Sequence, residues 1–172
     1  MLKQHELRKL LPQRYPLLLV DAIVELEPTK SVTAIKCITC NEPCYQGVED
    51  SERLEAYAYP ESLIIESFSQ SVAPLLQGVW EAKGNSSEHV VMFGSMSKIT
   101  FLESVFPGDT LRHHAELGYH DANTAMISGT VSVGNKTVVT VDRIVAVVRP
   151  KDGLTEAVTP RVKEDSSCNP PL

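Results

Sequence analysis

Glu66 is a carboxylate in apolar company. It lies in SLIIESFSQ, residues 62–70, beside Leu63, Ile64, Ile65 and Phe68. Such a group either turns to water or moves protons with a partner. A second chemistry-bearing stretch, CITCNEPC, spaces Cys37, Cys40 and Cys44 as C-x2-C-x3-C. A tetrahedral metal site needs a fourth ligand at a defined spacing, and no second Cys pair or nearby His supplies one. SVTAIKCITC also alternates as a strand does, which sends Cys37 and Cys40 to opposite faces. With Cys168, these read as reduced, structural thiols, and no metal is expected.

The elements that must position Glu66 follow from periodicity. A short helix over about Leu2–Leu11 is stopped by Pro12. LLLVDAIVELE and SVTAIKCITC read as strands joined by the EPTK turn, both rich in β-branched residues. The polar stretch NEPCYQGVEDSERLEAYAYPE is too long for a simple turn, and loops of that length in a compact domain are usually functional or mobile. A helix is expected from about Ser62 to Lys83, ended by Gly84. Ile64, Phe68, Val72, Leu75 and Val79 form its apolar stripe, widened by Ile65 and Leu76. Pro74 is expected to kink it. HVVMFG, SKITFL, TLRHHAELGYH, NTAMISGTVSV and KTVVTVDRIVAVVRP then read as strands, with Gly134-Asn135 as a hairpin turn and FPGD as another turn.

That order predicts an α+β domain over residues 1–150, one long helix against an antiparallel sheet of about six or seven strands. One helix covers only part of such a sheet, which invites dimerisation. Residues 151–172 lack apolar periodicity and are expected to be disordered. Glu66 falls away from the stripe's centre, on a face with Leu63, Gln70, Ala73 and Gln77. That face suits water, a second subunit or a ligand, and periodicity leaves all three open.

Composition narrows the function classes. The chain has 172 residues, 42% hydrophobic and 22% charged, with a net charge of −6. One domain with its own core fits that length. Net acidity disfavours nucleic acid and anionic membrane surfaces. The opening MLKQHELRKLLPQRYP has no apolar h-region and no small-residue cleavage site, so no secretory signal is expected. No run approaches the roughly 18 apolar residues of a membrane span. A cytoplasmic protein is the expectation. His113 and His114 are adjacent on a strand and must face opposite sides, so they do not act as a pair. His5, His89 and His120 read as surface or structural.

LLPQRYPLLLVD, NEPCYQG, LIIESFSQ and VFPGD, in that order, resemble the FabZ-type 3-hydroxyacyl-[acyl-carrier-protein] dehydratases, over about Leu10 to Pro150. The resemblance implies the hot-dog fold, a long helix wrapped by an antiparallel sheet and paired into dimers. It implies elimination of water from a 3-hydroxyacyl thioester carried on the phosphopantetheine arm of acyl carrier protein, with no cofactor of the enzyme's own. In the family a His directly after the QG of NEPxxQG removes the α-proton. A Glu in LIxExxxQ, contributed by the other subunit, protonates or holds the departing hydroxyl. Carried over, Glu66 is the acid, and Gln70, Gly47, Ser62 and Tyr59 surround the substrate. Arg14, Lys98, Arg112, Arg143 and Arg149 become candidates for meeting an acidic carrier protein.

The departures are specific. The His position is Val48, and the family's HFPGxPxxPG is replaced by the longer VEDSERLEAYAYPES. Glu61 stands where the family has Gly, and Gln13 replaces the PHRYP histidine, which is not catalytic in the family. Losing a general base costs about 100- to 10,000-fold in rate. The lone chain is therefore expected to be weak or inactive. Three readings follow. The chain donates Glu66 to a heterodimer whose His-bearing paralogue supplies the base, in a fatty-acid, polyketide or polyene type of pathway. Alternatively it is a non-catalytic scaffold that binds acyl chains or carrier protein. The third is a self-sufficient homodimer, a dehydratase with a relocated base or a hot-dog thioesterase, with Glu49, Asp50, Glu52, Glu55, Tyr57 and Tyr59 as stand-ins.

Overall fold

A computed structural model describes residues 1–49, 53–81 and 89–150. Helix α1 (Gln4–Leu10) leads into strands β1 (Ala22–Glu27) and β2 (Ser31–Cys37). Two 3-10 turns, Pro43–Tyr45 and Leu54–Tyr57, interrupt the long loop. Helix α2 (Glu61–Glu81) follows, then β3 (His89–Phe101), β4 (Thr110–His120), β5 (Thr124–Val133) and β6 (Lys136–Pro150). The strands form one antiparallel sheet in the order β1-β2-β4-β5-β6-β3. The expected α+β hot-dog architecture is present: one long helix laid across the inner face of a six-stranded sheet.

Several boundaries differ from expectation. Residues 17–21 are not strand; β1 begins at Ala22, because Leu19 and Val20 direct their N–H groups to a side chain instead of a neighbouring strand. HVVMFG and SKITFL are one strand, β3, interrupted by a register shift between Phe93 and Ser95. As expected, α2 runs through Pro74, which lies inside it and is buried. The expected helix end at Lys83–Gly84 and the expected disordered tail from 151 lie outside the described residues.

The apolar stripe of α2 is the core. Ile64, Phe68, Val72, Leu75, Leu76 and Val79 are each at most 2% exposed, and Trp80 joins them. Ile65 is half-buried instead. Each fully buried side chain of this kind contributes on the order of 1.5–3 kcal/mol before entropy. The helix sits close to the sheet because β5 carries Gly129 beneath Phe68. A Cβ there would lie 2.8 Å from Phe68 Cζ and 2.2 Å from the His114 carbonyl oxygen. The β5–β6 hairpin turns at Gly134, whose φ of +56° a β-branched residue would resist.

His113 and His114 face opposite sides of β4, as alternation requires. His113 opposes Ala34 across the β2–β4 ladder, is fully buried, and lies 3.0 Å from Ser67 Oγ of α2 through Nε2. His114 stands half-buried on the outer face, 3.1 Å from Thr33 Oγ1 through Nδ1.

Candidate active site

Glu66 is half-buried on α2, and its Oε1 takes two amide donors. Gln70 Nε2, one turn on, donates at 2.8 Å, and Gln13 Nε2 donates at 3.4 Å. Among the described residues Oε2 carries no hydrogen bond. The carboxylate is thus oriented by one oxygen and open at the other.

Gln70 is 2% exposed and ties α2 to the YPLLLVD segment. Its Nε2 also donates to Leu17 O at 2.6 Å, and its Oε1 accepts from Leu19 N at 2.9 Å and Val20 N at 3.4 Å. A backbone segment without ladder partners needs such an acceptor when it is buried. Arg14, a candidate for carrier-protein contact, donates to the carbonyls of Arg8, Leu11 and Gln13 and so caps the end of α1. Arg112 lies 3.4 Å from Glu25 in an exposed ion pair. Tyr15 and Leu17 project outward, 88% and 51% exposed, beside this junction.

The motif loop has its own buried network. Lys36 lies at an inward position of β2, following Val32 and Ala34, and only 5% of it is exposed. Its ammonium is paired with Glu42 and donates to Cys37 O at 2.8 Å. Tyr59 OH donates to the other Glu42 oxygen at 3.3 Å, so the two ends of the loop are joined. Burial first, then the Glu42 charge, pushes the Tyr59 hydroxyl far above its ordinary range. Tyr45 is pushed up to about 12 by burial, with Cys44 and Glu42 adding to it. Neither tyrosine is a base at neutral pH. Cys44 is half-buried and its thiol is raised by burial, then by Glu42, whereas Cys37 and Cys40 are on the surface.

The VFPGD turn braces both ends of this loop. Ile38 N donates to Asp109 O, Gly108 N to Ile38 O, and Tyr59 N to Val105 O, all within 2.9 Å. Gly108, at φ +101°, makes the turn possible. Gly47 closes the motif at φ +91° with open space where a Cβ would stand, and Val48, half-buried, packs against the core. Ser62 and Glu61 are exposed at the start of α2. Glu49 and Glu55 are exposed, and Asp50 and Glu52 lie outside the described residues.

The candidate residues therefore separate into two groups. Glu66, Gln70 and Gln13 converge, whereas Tyr59 belongs to the motif-loop network and Gln70 contacts protein on every polar atom. The Glu66–Gln13 contact and the Lys36–Glu42 pair were missed in the sequence. A signal for the pair existed: a lysine at an inward position of an alternating strand needs a buried carboxylate. No helix among the described residues is long and apolar enough to cross a membrane.

Known proteins agree with this architecture. The FabA-like domain family matches residues 11–142. The 3-hydroxyacyl-[acyl-carrier-protein] dehydratase FabZ of a Nitratiruptor species is 36% identical over 140 residues, covering 80% of this chain and 92% of that protein. The FabZ of Colwellia psychrerythraea is 33% identical over 142 residues, covering 83% and 91%. Among solved structures, the dehydratase heterocomplex ApeI:P from Xenorhabdus doucetiae superposes with a TM-score of 0.71 at 14% identity, covering 89% of this chain and 97% of that one. The fluoroacetyl-CoA thioesterase FlK superposes with a TM-score of 0.59 at 11% identity, covering 78% and 96%. Sequence likeness along most of the chain, on a hot-dog frame that orients Glu66 from the LIxExxxQ helix, makes this chain a member of the FabZ-type 3-hydroxyacyl-[acyl-carrier-protein] dehydratase family.

Proposed function

We propose that this chain is the acid-donating half of a composite dehydratase that acts on 3-hydroxyacyl thioesters of acyl carrier protein. The observation that carries the reading is the contrast at two positions. Glu66 is oriented by two amides with one oxygen open, and the residue after Gly47 is a valine with no exchangeable proton. A homologous chain with NEPxxQGH supplies the base. Its histidine takes the α-proton, the C=C bond forms, and the C–O bond breaks with its electron pair on the departing hydroxyl. Glu66 gives that hydroxyl a proton, so water leaves, and the histidine's proton returns through the site to Glu66. The backbone N–H groups of Gly47 and of Ser62 at the α2 start are the donors in this reading for the thioester carbonyl. Gln70 and Tyr59 act from beneath, by holding the elements in place. The residues need no metal or cofactor for this chemistry.

The β3 edge supports pairing with another chain. It is long, unpaired on its outer side among the described residues, and carries Met92 and Met96 at 40% and 37% exposure. Edges of this kind pair or aggregate unless covered. A dehydratase of this fold assembled as a heterocomplex provides the structural precedent. We place the complex in the cytoplasm, where acyl carrier protein would serve it. A fatty-acid or polyketide type of pathway fits such a divided site.

The test is to purify the chain alone and with a co-encoded homologue that carries the histidine, and to follow enoyl thioester formation. Activity should need both chains, and Glu66→Gln should lower it about 100- to 10,000-fold. Robust activity of the lone chain would overturn the reading. Full activity of the complex with Glu66→Gln would assign the chain to scaffolding, and release of free thiol by the lone chain would assign it to thioester hydrolysis.

A further inference from the structure

The two amides that hold Glu66 differ in what holds them. Gln70 is fixed in one orientation, because its Nε2 faces the Leu17 carbonyl and its Oε1 faces the N–H groups of Leu19 and Val20. Turning it over would set donor against donor and oxygen against oxygen. Gln13 has no such constraint. Among the described residues its side chain makes one hydrogen bond, from Nε2 to Glu66 Oε1 at 3.4 Å. Its own Oε1 is buried without a partner. A half-turn about the terminal torsion exchanges these atoms and sets an oxygen against Glu66 Oε1.

That exchange matters only if Glu66 changes state. A carboxylate oxygen accepts from both amides. A carboxylic acid with its proton on Oε1 still has a lone pair for Gln70, and its hydrogen needs an acceptor. We propose that Gln13 is a positioning residue that follows the protonation state of Glu66, donating to the carboxylate and, turned over, accepting from the acid. The proposal rests on the reading of Glu66 as a residue that releases and regains a proton. The proton leaves through the open oxygen when the carboxyl group turns, with Gln70 holding the other oxygen in either case. An amide has no ionisable proton near neutral pH, so it serves both states without competing for the proton.

A mutant cycle on the lone chain tests this by urea unfolding. Gln13→Met should lower the folded-to-unfolded ratio about fivefold with Glu66 present. It should lower it by a similar factor in the E66Q background, where Gln70 keeps the new amide's oxygen at the Oε1 position and Gln13 donates to it as it does to the carboxylate. It should lose that effect in the E66M background, which offers no polar partner. A fivefold loss in all three backgrounds, a loss with Glu66 alone, or no loss in any would overturn the proposal. In an active assembly Gln13→Met should lower kcat and leave KM unchanged, and an unchanged kcat would overturn it. The unfolding arm does not depend on dehydratase activity, so failure of the proposed function and failure of this inference are distinguishable.

Discussion

Glu66 and Val48 lie on neighbouring segments, the helix and the loop before it, and each is backed by a buried polar network. Behind Glu66, Gln70 joins α2 to the YPLLLVD segment through three hydrogen bonds and holds Glu66 with a fourth. In the loop that carries Val48, the Lys36–Glu42 pair and Tyr59 join the two ends, and the VFPGD turn braces them. Both segments are supported by buried polar groups, while only one of the two positions carries a titratable side chain. The difference teaches that the loop before α2 is braced by buried polar contacts whether or not position 48 bears a group that can move a proton.

Three variants and one titration sharpen or break that comparison. Val48→His puts a general base on that braced loop, so the lone chain should gain dehydratase activity by about 100-fold or more. An unchanged rate in the enoyl thioester assay would show that residues 48–60 keep position 48 from any acid. Glu42→Leu strands the buried Lys36 charge and should cost about 3–5 kcal/mol in urea unfolding. Adding Lys36→Met should recover most of that loss; if it does not, the pair is not what holds the loop. Gln70→Leu leaves the N–H groups of Leu19 and Val20 without an acceptor, at about 1–3 kcal/mol each, and should lower the midpoint of the same unfolding curve. A midpoint unchanged by Gln70→Leu would remove the Glu66 network from the comparison.

The smallest effect per step comes from His113, which belongs to both regions because it faces Ser67 on one side and feels Lys36 on the other. Burial, then the Lys36 charge, lowers its pKa from 6.5 to about 3. The folded state refuses a proton that the unfolded chain accepts below about pH 6.5. Its contribution to stability is therefore full above pH 6.5 and lost as the pH falls towards 3, at up to about 1.4 kcal/mol per pH unit. Unfolding midpoints at pH 7, 5.5 and 4.5 measure that slope, which His113→Gln should flatten.

Much of the fold was legible because its signals are local. The α2 stripe at Ile64, Phe68, Val72, Leu75 and Val79 repeats with the helix period, and the Gly134-Asn135 turn sits between alternating strands. The readings of Glu66 as the acid and of Val48 at the histidine's position came from the resemblance to the FabZ-type dehydratases, since periodicity alone left Glu66 on an open polar face. The buried serines of α2 were not legible: Ser67 and Ser71 look polar in a sequence, yet Ser67 lies against His113 and Ser71 donates to Phe68 O. Their burial follows from the close seat of the helix over Gly129, a feature of packing. The single β3 strand reads as two in the sequence because Gly94 sits mid-pattern, where a register shift absorbs it.

By itself the sequence determined the element order, the off-core face that Glu66 occupies on the helix and the valine that follows NEPCYQG, because each depends on residue type and short spacing. The tertiary structure alone decided the company of those residues. Gln13 and Gln70 meet at Glu66 across separations of 53 and 4 residues, and Lys36 finds Glu42 beneath the loop. Periodicity names the face a side chain occupies. Which distant group waits there depends on how the segments pack, and that packing set Glu66 between a fixed amide and a free one.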